Sequence, residues 1–390
     1  MENKKLWTKD FIFLNLATLL LSTGFYFLMP TLPLYMADVL RANKGQVGYI
    51  MATFTLCALL TRPLAGYWID RVGRKWVLVI SYLLFSLTLG IYPLAASFPL
   101  LLLLRCFHGL LWGVYTVAGA TAVVDLVPAV KRGQGIGIYG LFMTLALALG
   151  PVIALYIMGK DRYGIMFLSA MVVALLGFGL LMRVHFPHFE RRDGGPFTLA
   201  DVAESSVLPL AVVQLLFGVT YGGTVSFITL YAKELGIMEA GPFFLINALG
   251  ITLSRLGSGQ VFDRHGPRGL LSSCLTLLIV GFGILALVKN HYGFYFAAFL
   301  IGFGSGVIMP TLQAMANNIV DQNRRGSANA TIITGFDLGI GLGSVLLGFL
   351  SDVIGLDNTY LVCGLIILVS LVYFLAKVNP YYHEQRFWEG

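Results

Sequence analysis

The chain has 390 residues, of which 57% are hydrophobic and only 12% charged, with a formal net charge of +7. A soluble domain of this length needs more charge to cover its surface, so the composition excludes one. The positive balance does not mark a nucleic-acid binder either, because the basic residues fall at the ends of apolar runs.

In chain order, those runs predict spans at 11–35, 46–69, 76–96, 98–124, 135–158 and 165–184. A second series follows at 207–231, 241–262, 270–288, 292–316, 328–350 and 358–377. Each is long enough to cross a hydrocarbon core of about 30 Å as a helix. The first, Phe11 to Tyr35, is too long for a signal-peptide core and no small-residue cleavage site follows it. The longest polar stretch is the connector from Arg183 to Ser206, which leaves no soluble domain over.

With a cytoplasmic N-terminus, the inner segments hold 17 Lys and Arg, from Lys4 to Arg386, and the outer loops hold 6, from Arg41 to Lys289. The positive-inside rule then places both termini in the cytoplasm. Cys57, Cys106, Cys274 and Cys363 all lie in apolar spans without metal-ligand spacing and read as small hydrophobes in helix packing. No phosphate-cradling glycine loop and no HExxH motif occurs, so neither an ATPase nor a metal enzyme is expected.

The chain repeats itself. RPLAGYWIDRVGRKWVL at the second span aligns with RLGSGQVFDRHGPRGLL at the eighth, pairing Arg62 with Arg255, Asp70 with Asp263 and Gly73 with Gly266. The offset is 255 − 62 = 193, and it also pairs Gly109 with Gly302, Gly113 with Gly306 and Gly150 with Gly343. This predicts two six-helix halves, 1–184 and 207–390, joined by a cytoplasmic connector over 185–206. Parallel halves suit a transporter whose site lies between them, although a channel or membrane enzyme remains compatible with the repeat alone.

The segment Gly66 to Lys75, GYWIDRVGRK, resembles the loop motif G-x-L-a-D-r-x-G-r-k of the major facilitator superfamily, with Trp68 in place of the usual Leu. The resemblance covers essentially the whole chain and implies an all-α membrane protein of twelve helices in two pseudo-symmetric bundles. By the same resemblance Gly66, Asp70, Arg71, Gly73 and Arg74 belong to a conformational latch, with Asp125 as a charge-relay carboxylate and Asp263 and Arg264 as the weaker second copy. The alternative is plain anchoring of helix ends at the interface. LLLLRCFHGLLWG, Leu101 to Gly113, resembles the fourth-span pattern of proton-coupled members: Arg105 and Gly109 match, and His108 stands where Gln is usual. ALALGPVIAL, Ala146 to Leu155, resembles the antiporter motif of the fifth span through Gly150 and Pro151, while Ala146, Ala154 and Leu155 replace glycines. Together they imply the drug:proton antiporter branch.

Asp337 is the only carboxylate near mid-membrane, within the glycine-rich GFDLGIGLG, and its counterpart at the 193 offset is Thr144. Such a carboxylate suits proton coupling; a structural role, satisfied by Asn329 or Thr334, is the alternative. Arg105 and His108 lie one helical turn apart on one face and join it as coupling candidates, with a hydrogen-bonded structural histidine as the competing reading. The packing that the family implies sets Asp337 opposite this basic pair. Arg62 and Arg255 are expected to snorkel to the inner interface. Asn15, Tyr26, Trp112, Gln214, Tyr221, Asn247 and Gln313 are cavity candidates, each also explicable as helix-packing glue. Pro30, Pro33 and Pro310 are expected to mark bends.

The expected function is proton-driven export of small amphipathic compounds by alternating access, from a bacterial-type plasma membrane. No cofactor beyond the proton gradient is expected. The expected partners are the substrate, protons and lipids, with no nucleic acid, and the expected state is a monomer. A dedicated exporter of one metabolite such as a siderophore, a lipid or glycolipid flippase, and a transporter-like receptor or sensor stand as alternatives.

Overall fold

The computed structural model describes residues 6–128, 132–186, 204–237, 239–256, 258–320 and 324–385, and all regular structure among them is helical. The helices are α1 (Lys9–Asp38), α2 (Lys44–Val72), α3 (Arg74–Leu89), α4 (Phe98–Leu126), α5 (Arg132–Met158) and α6 (Tyr163–Leu181). After the connector come α7 (Leu208–Glu234), α8 (Gly241–Arg255), α9 (Ser258–His265), α10 (Pro267–Leu287), α11 (His291–Ser305), α12 (Ile308–Asn318), α13 (Arg325–Tyr373) and α14 (Asn379–Gln385). Leucine, isoleucine, valine and phenylalanine stand exposed along most of the long helices, as a lipid-facing surface requires.

The chain divides into two compact units, Met1–Arg41 with Thr53–Pro196, and Ala42–Ala52 with Phe197–Gly390. In the first, α1 is clasped by α5 and α6, and α3 packs on α4 and α6. Thr8 caps α1 by accepting the Phe11 N–H at 3.2 Å, and the helix runs on through Pro30 and Pro33. Buried tyrosines tie its middle down: Tyr82 donates to the Ala17 carbonyl at 2.8 Å and Tyr115 to the Thr18 hydroxyl at 3.1 Å. In the second unit α7 lies along α13, α8 along α11, and α10 against α11 and α13.

The 193-residue repeat reappears as one interface built twice. In the first unit, Gly109 and Gly113 of α4 lie so close to the Phe54 and Ala58 carbonyls of α2 that a Cβ on either glycine collides with them. In the second, Gly302 and Gly306 meet the Asn247 and Ile251 carbonyls of α8 in the same way. All four pairs differ by 193: 302 − 109, 306 − 113, 247 − 54 and 251 − 58. The turns repeat too, since Gly73 (φ 95) between α2 and α3 and Gly266 (φ 73) before α10 both take a positive φ that other residues resist.

Two expected spans are divided. The run over 241–262 becomes α8 and α9, and that over 292–316 becomes α11 and α12, broken at Gly306–Val307. Pro310 explains the second break. It has no N–H to give the carbonyl four residues back, and that carbonyl, on Gly306, takes the Arg255 Nε–H at 3.0 Å instead. Arg255 therefore serves α11 rather than simply snorkelling. The span expected at 328–350 and most of that at 358–377 fall in α13, which turns at Gly355 (φ 83) and gives way to a π-helical turn at Phe374–Val378.

Residues 42–52, which include the start of α2, are held in the second unit. Asn43 and Gln46 cap the helix reciprocally at 3.0 and 2.8 Å. Asp352 of α13 receives the Lys44 and Gly45 N–H groups at 3.1 and 2.9 Å, placing a carboxylate on the positive end of the helix. Lys44 also pairs with Glu234 of α7 at 2.8 Å. At the opposite end of this unit, Glu204, 2% exposed, receives the Ser206 hydroxyl at 2.7 Å and meets Arg324 at 2.7 Å. Burial pushes this carboxyl up, but the Ser206 hydrogen bonds and the Arg324 charge outweigh it and hold the group below the ordinary carboxylate range.

Candidate functional site

The first unit buries a cation among aromatic rings. Arg105, one helical turn before His108 on α4, is 2% exposed and cannot shed its charge. Its guanidinium carbon lies 4.3 Å from the centre of the Phe54 ring, on α2, a cation–π contact strengthened by the dry surroundings. Its Nη1 reaches the Tyr92 hydroxyl at 3.5 Å, and that oxygen lies 2.9 Å from His108 Nδ1. Tyr92 belongs to the short 3-10 turn Tyr92–Leu94 between α3 and α4, and its ring stacks on Phe167 of α6 at 5.3 Å.

His108 is fully buried. The Phe85 and His108 ring centres are 3.9 Å apart, while Phe25 and Trp112 stack beside them with ring centres 4.4 Å apart. Its Nε2 has no hydrogen-bond partner among the described residues. With Arg105 donating to the Tyr92 oxygen, the Tyr92 proton is directed to Nδ1. A neutral imidazole in that arrangement carries its own proton on Nε2, for which no acceptor stands among the described residues. A fixed charge, a phenol and an imidazole thus lie hydrogen-bonded in one apolar shell, a chemistry suited to holding an anion or accepting a proton at the imidazole.

The glycines around Asp337 do what their pattern predicts. Gly335 and Gly339 of α13 bring its backbone against Ala211 and Leu215 of α7, and a Cβ on Gly218 of α7 would stand 2.5 Å from the Phe336 carbonyl. Asp337 lies half-buried in this close-packed stretch of α13. Asn329, offered as its structural partner, gives its amide to Asn317 at 3.0 Å.

Of the latch candidates, Arg74 at the start of α3 pairs with Asp125 at the end of α4 at 2.7 Å, within the first unit. The equivalent positions in the second unit are Pro267 and Asn318, so this ion pair is not repeated. Gly66, Asp70 and Arg71 belong to α2 and Asp263 to α9, with side chains outside the described residues; Arg264 is exposed on α9. Gly150 and Pro151 lie within α5, Gly150 against Thr23 and Tyr26 of α1.

The cavity candidates separate. Asn247 donates to the Ala298 carbonyl at 3.1 Å and acts as helix glue, and Tyr221 packs on Phe217 and Phe336. Trp112 belongs to the aromatic shell of His108. Asn15 is buried and donates to Phe11, its amide oxygen without a hydrogen-bond partner among the described residues. Gln214 is buried with neither amide atom bonded among them. Tyr26 and Gln313 are half-buried. Sequence reasoning missed Tyr92 and the shell of Phe25, Phe54 and Phe85, because one phenylalanine among 28 carries no signal of which ring it will meet.

A family model described as Major Facilitator Superfamily matches residues 14–288 and 210–390. The chain belongs to that superfamily. Among curated relatives, the staphylopine export protein of Staphylococcus aureus is 26% identical, over 97% of this chain and 98% of its own length. A multi-drug resistance efflux pump, the PmrA homolog of Lactococcus lactis, is 24% identical over 98% of each, and the multidrug resistance protein MdtG of Escherichia coli 24% over 94% of each. The fold matches a crystal structure of a bacterial homolog of the human lysosomal transporter Spinster, in an inward-facing and occupied conformation. Its TM-score is 0.85 at 14% identity, over 97% of this chain and 98% of that one. As a superfamily member the protein is a multi-pass membrane transporter with efflux transporters among its relatives.

Proposed function

We propose that this transporter exports small amphipathic compounds in exchange for protons, acting by alternating access from the plasma membrane with both termini in the cytoplasm. The buried Arg105–Tyr92–His108 cluster carries the reading: a superfamily member that keeps a permanent cation beside a titratable ring in an apolar shell has a place to couple charge to conformation. Asp337 supplies the carboxylate that takes and releases the proton. Its protonation favours one orientation of the carrier, and its deprotonation favours the other and accompanies substrate exchange.

The test uses the full chain in proteoliposomes with an imposed pH gradient and ethidium as an amphipathic probe. Wild type accumulates the dye uphill. Asp337→Asn exchanges it downhill but does not accumulate it. Undiminished uphill transport by that variant would sink the coupling role.

A second reading, export of one anionic metallophore, is favoured by the relationship to a staphylopine exporter and by the cation at Arg105. A polycarboxylate metal chelator moved in place of ethidium under the same gradient would select it.

A further inference from the structure

Where α2 crosses α4, the Cys57 and Cys106 sulfur atoms lie 3.0 Å apart. The contact is imposed by the backbone. Gly109 and Gly113 seat α4 on the Phe54 and Ala58 carbonyls, and the Thr61 hydroxyl donates across to the Leu110 carbonyl at 3.1 Å. The two thiols sit in the middle of that clamp. At the 193 offset the second unit has Gly250 and Phe299, where a Cβ on Gly250 would stand 2.6 Å from the Phe299 carbonyl. The same crossing thus closes without cysteines, and packing alone does not call for the pair. Both thiols are only partly buried, and Leu60 and Leu103 near them are exposed, so a small neutral solute in the bilayer can reach them.

We propose that Cys57 and Cys106 form an oxidisable dithiol that closes to a disulfide and arrests the transporter reversibly. The oxidant is hydrogen peroxide. One sulfur attacks a peroxide oxygen, the O–O bond breaks, and the departing oxygen takes the thiol proton as water, leaving a sulfenic acid. The second thiol displaces the sulfenic hydroxyl as water and forms the S–S bond, so that two thiols and one peroxide give one disulfide and two waters. The sulfurs have about 1 Å to travel to a bonded distance of about 2.05 Å. The bond would pin α2 to α4 beside Phe54 and Arg105, which meet across the same crossing.

The experiment treats the full chain in proteoliposomes with hydrogen peroxide, quenches it, denatures the protein in dodecyl sulfate, alkylates free thiols with N-ethylmaleimide and maps the peptides by mass spectrometry. The expected result is one linked pair containing Cys57 and Cys106, two hydrogen atoms lighter than the free thiols, with Cys274 and Cys363 alkylated. Dithiothreitol removes the link. Wild type needs no substitution for this readout; Cys57→Ser and Cys106→Ser form no link. Full alkylation of both thiols after peroxide, a link to another cysteine, or an unlinked sulfinic acid at either position overturns the proposal. In the transport arm, gradient-driven dye accumulation falls on the order of tenfold in the linked protein and returns with dithiothreitol. Unchanged accumulation in fully linked protein overturns the arrest. Mapping does not depend on proton coupling, so its outcome is separate from that of the exporter reading.

Discussion

Tyr92 joins the two groups that the sequence singles out on α4, and it can be tested without replacing either. Tyr92→Phe keeps the ring stacked on Phe167 but removes the hydroxyl between Arg105 and His108. Leaving His108 Nδ1 without its partner should cost about 1–3 kcal/mol, read as a lower melting temperature in detergent. The pH profile of gradient-driven transport should shift in the same variant, which loss of stability alone would not produce. Arg105 and His108 are legible in the sequence because charged and titratable residues inside an apolar span are rare and costly. Tyr92 is not, because a tyrosine near the end of a span usually marks the membrane interface. Only the turn before α4 brings it inward.

The helix pairs carry their own predictions. Gly109→Ala places a methyl group against the Phe54 carbonyl, so α2 and α4 must separate, at a cost of about 1–3 kcal/mol. Gly137→Ala, on α5 with open space around it, should be neutral or gain up to about 1 kcal/mol of helix propensity. Thermal unfolding of the two variants in one detergent decides it. The break between α11 and α12 lends itself to a double-mutant cycle. Arg255→Met strips the Gly306 carbonyl of its donor and should destabilise by about 1–3 kcal/mol. Adding Pro310→Ala returns a backbone N–H to that carbonyl and should recover part of the loss. The helices themselves are legible from apolar run length, and the glycine spacing shows which ones approach closely. The breaks are less so: Pro310 announces a bend, but nothing in the pattern says that Arg255 will mend it.

At the scale of the whole molecule, the second unit is fastened by carboxylates at both ends. Asp352→Asn weakens the charge on the first turn of α2, and the amides of Lys44 and Gly45 should then exchange with deuterium several-fold faster, by about 0.5–1 kcal/mol of lost dipole and hydrogen-bond stabilisation. At the other end, the Glu204 carboxyl titrates lower in the folded chain than in an unfolded one. Its stabilisation is therefore complete above the unfolded carboxylate value of about 4.3 and is lost as pH falls through the lower folded value. Melting temperature against pH should show this acid-side loss in wild type and lack it in Glu204→Gln. Membership of the superfamily is legible in GYWIDRVGRK and in the repeat. The grouping of residues 42–52 with the second unit is not, because it depends on Asp352, about 300 residues away in sequence.

The doubled glycine crossing gives the protein an internal reference. Gly109 and Gly302 seat their helices on equivalent carbonyls, so replacing either by alanine poses the same steric problem in two settings. Equal penalties would mean that the halves still share one inherited joint. Where paired positions no longer match, as at Thr144 and Asp337, Val117 and Pro310, or Cys57 and Gly250, the two copies have specialised since duplication. Those mismatches mark where the halves have diverged, with no second sequence needed for comparison.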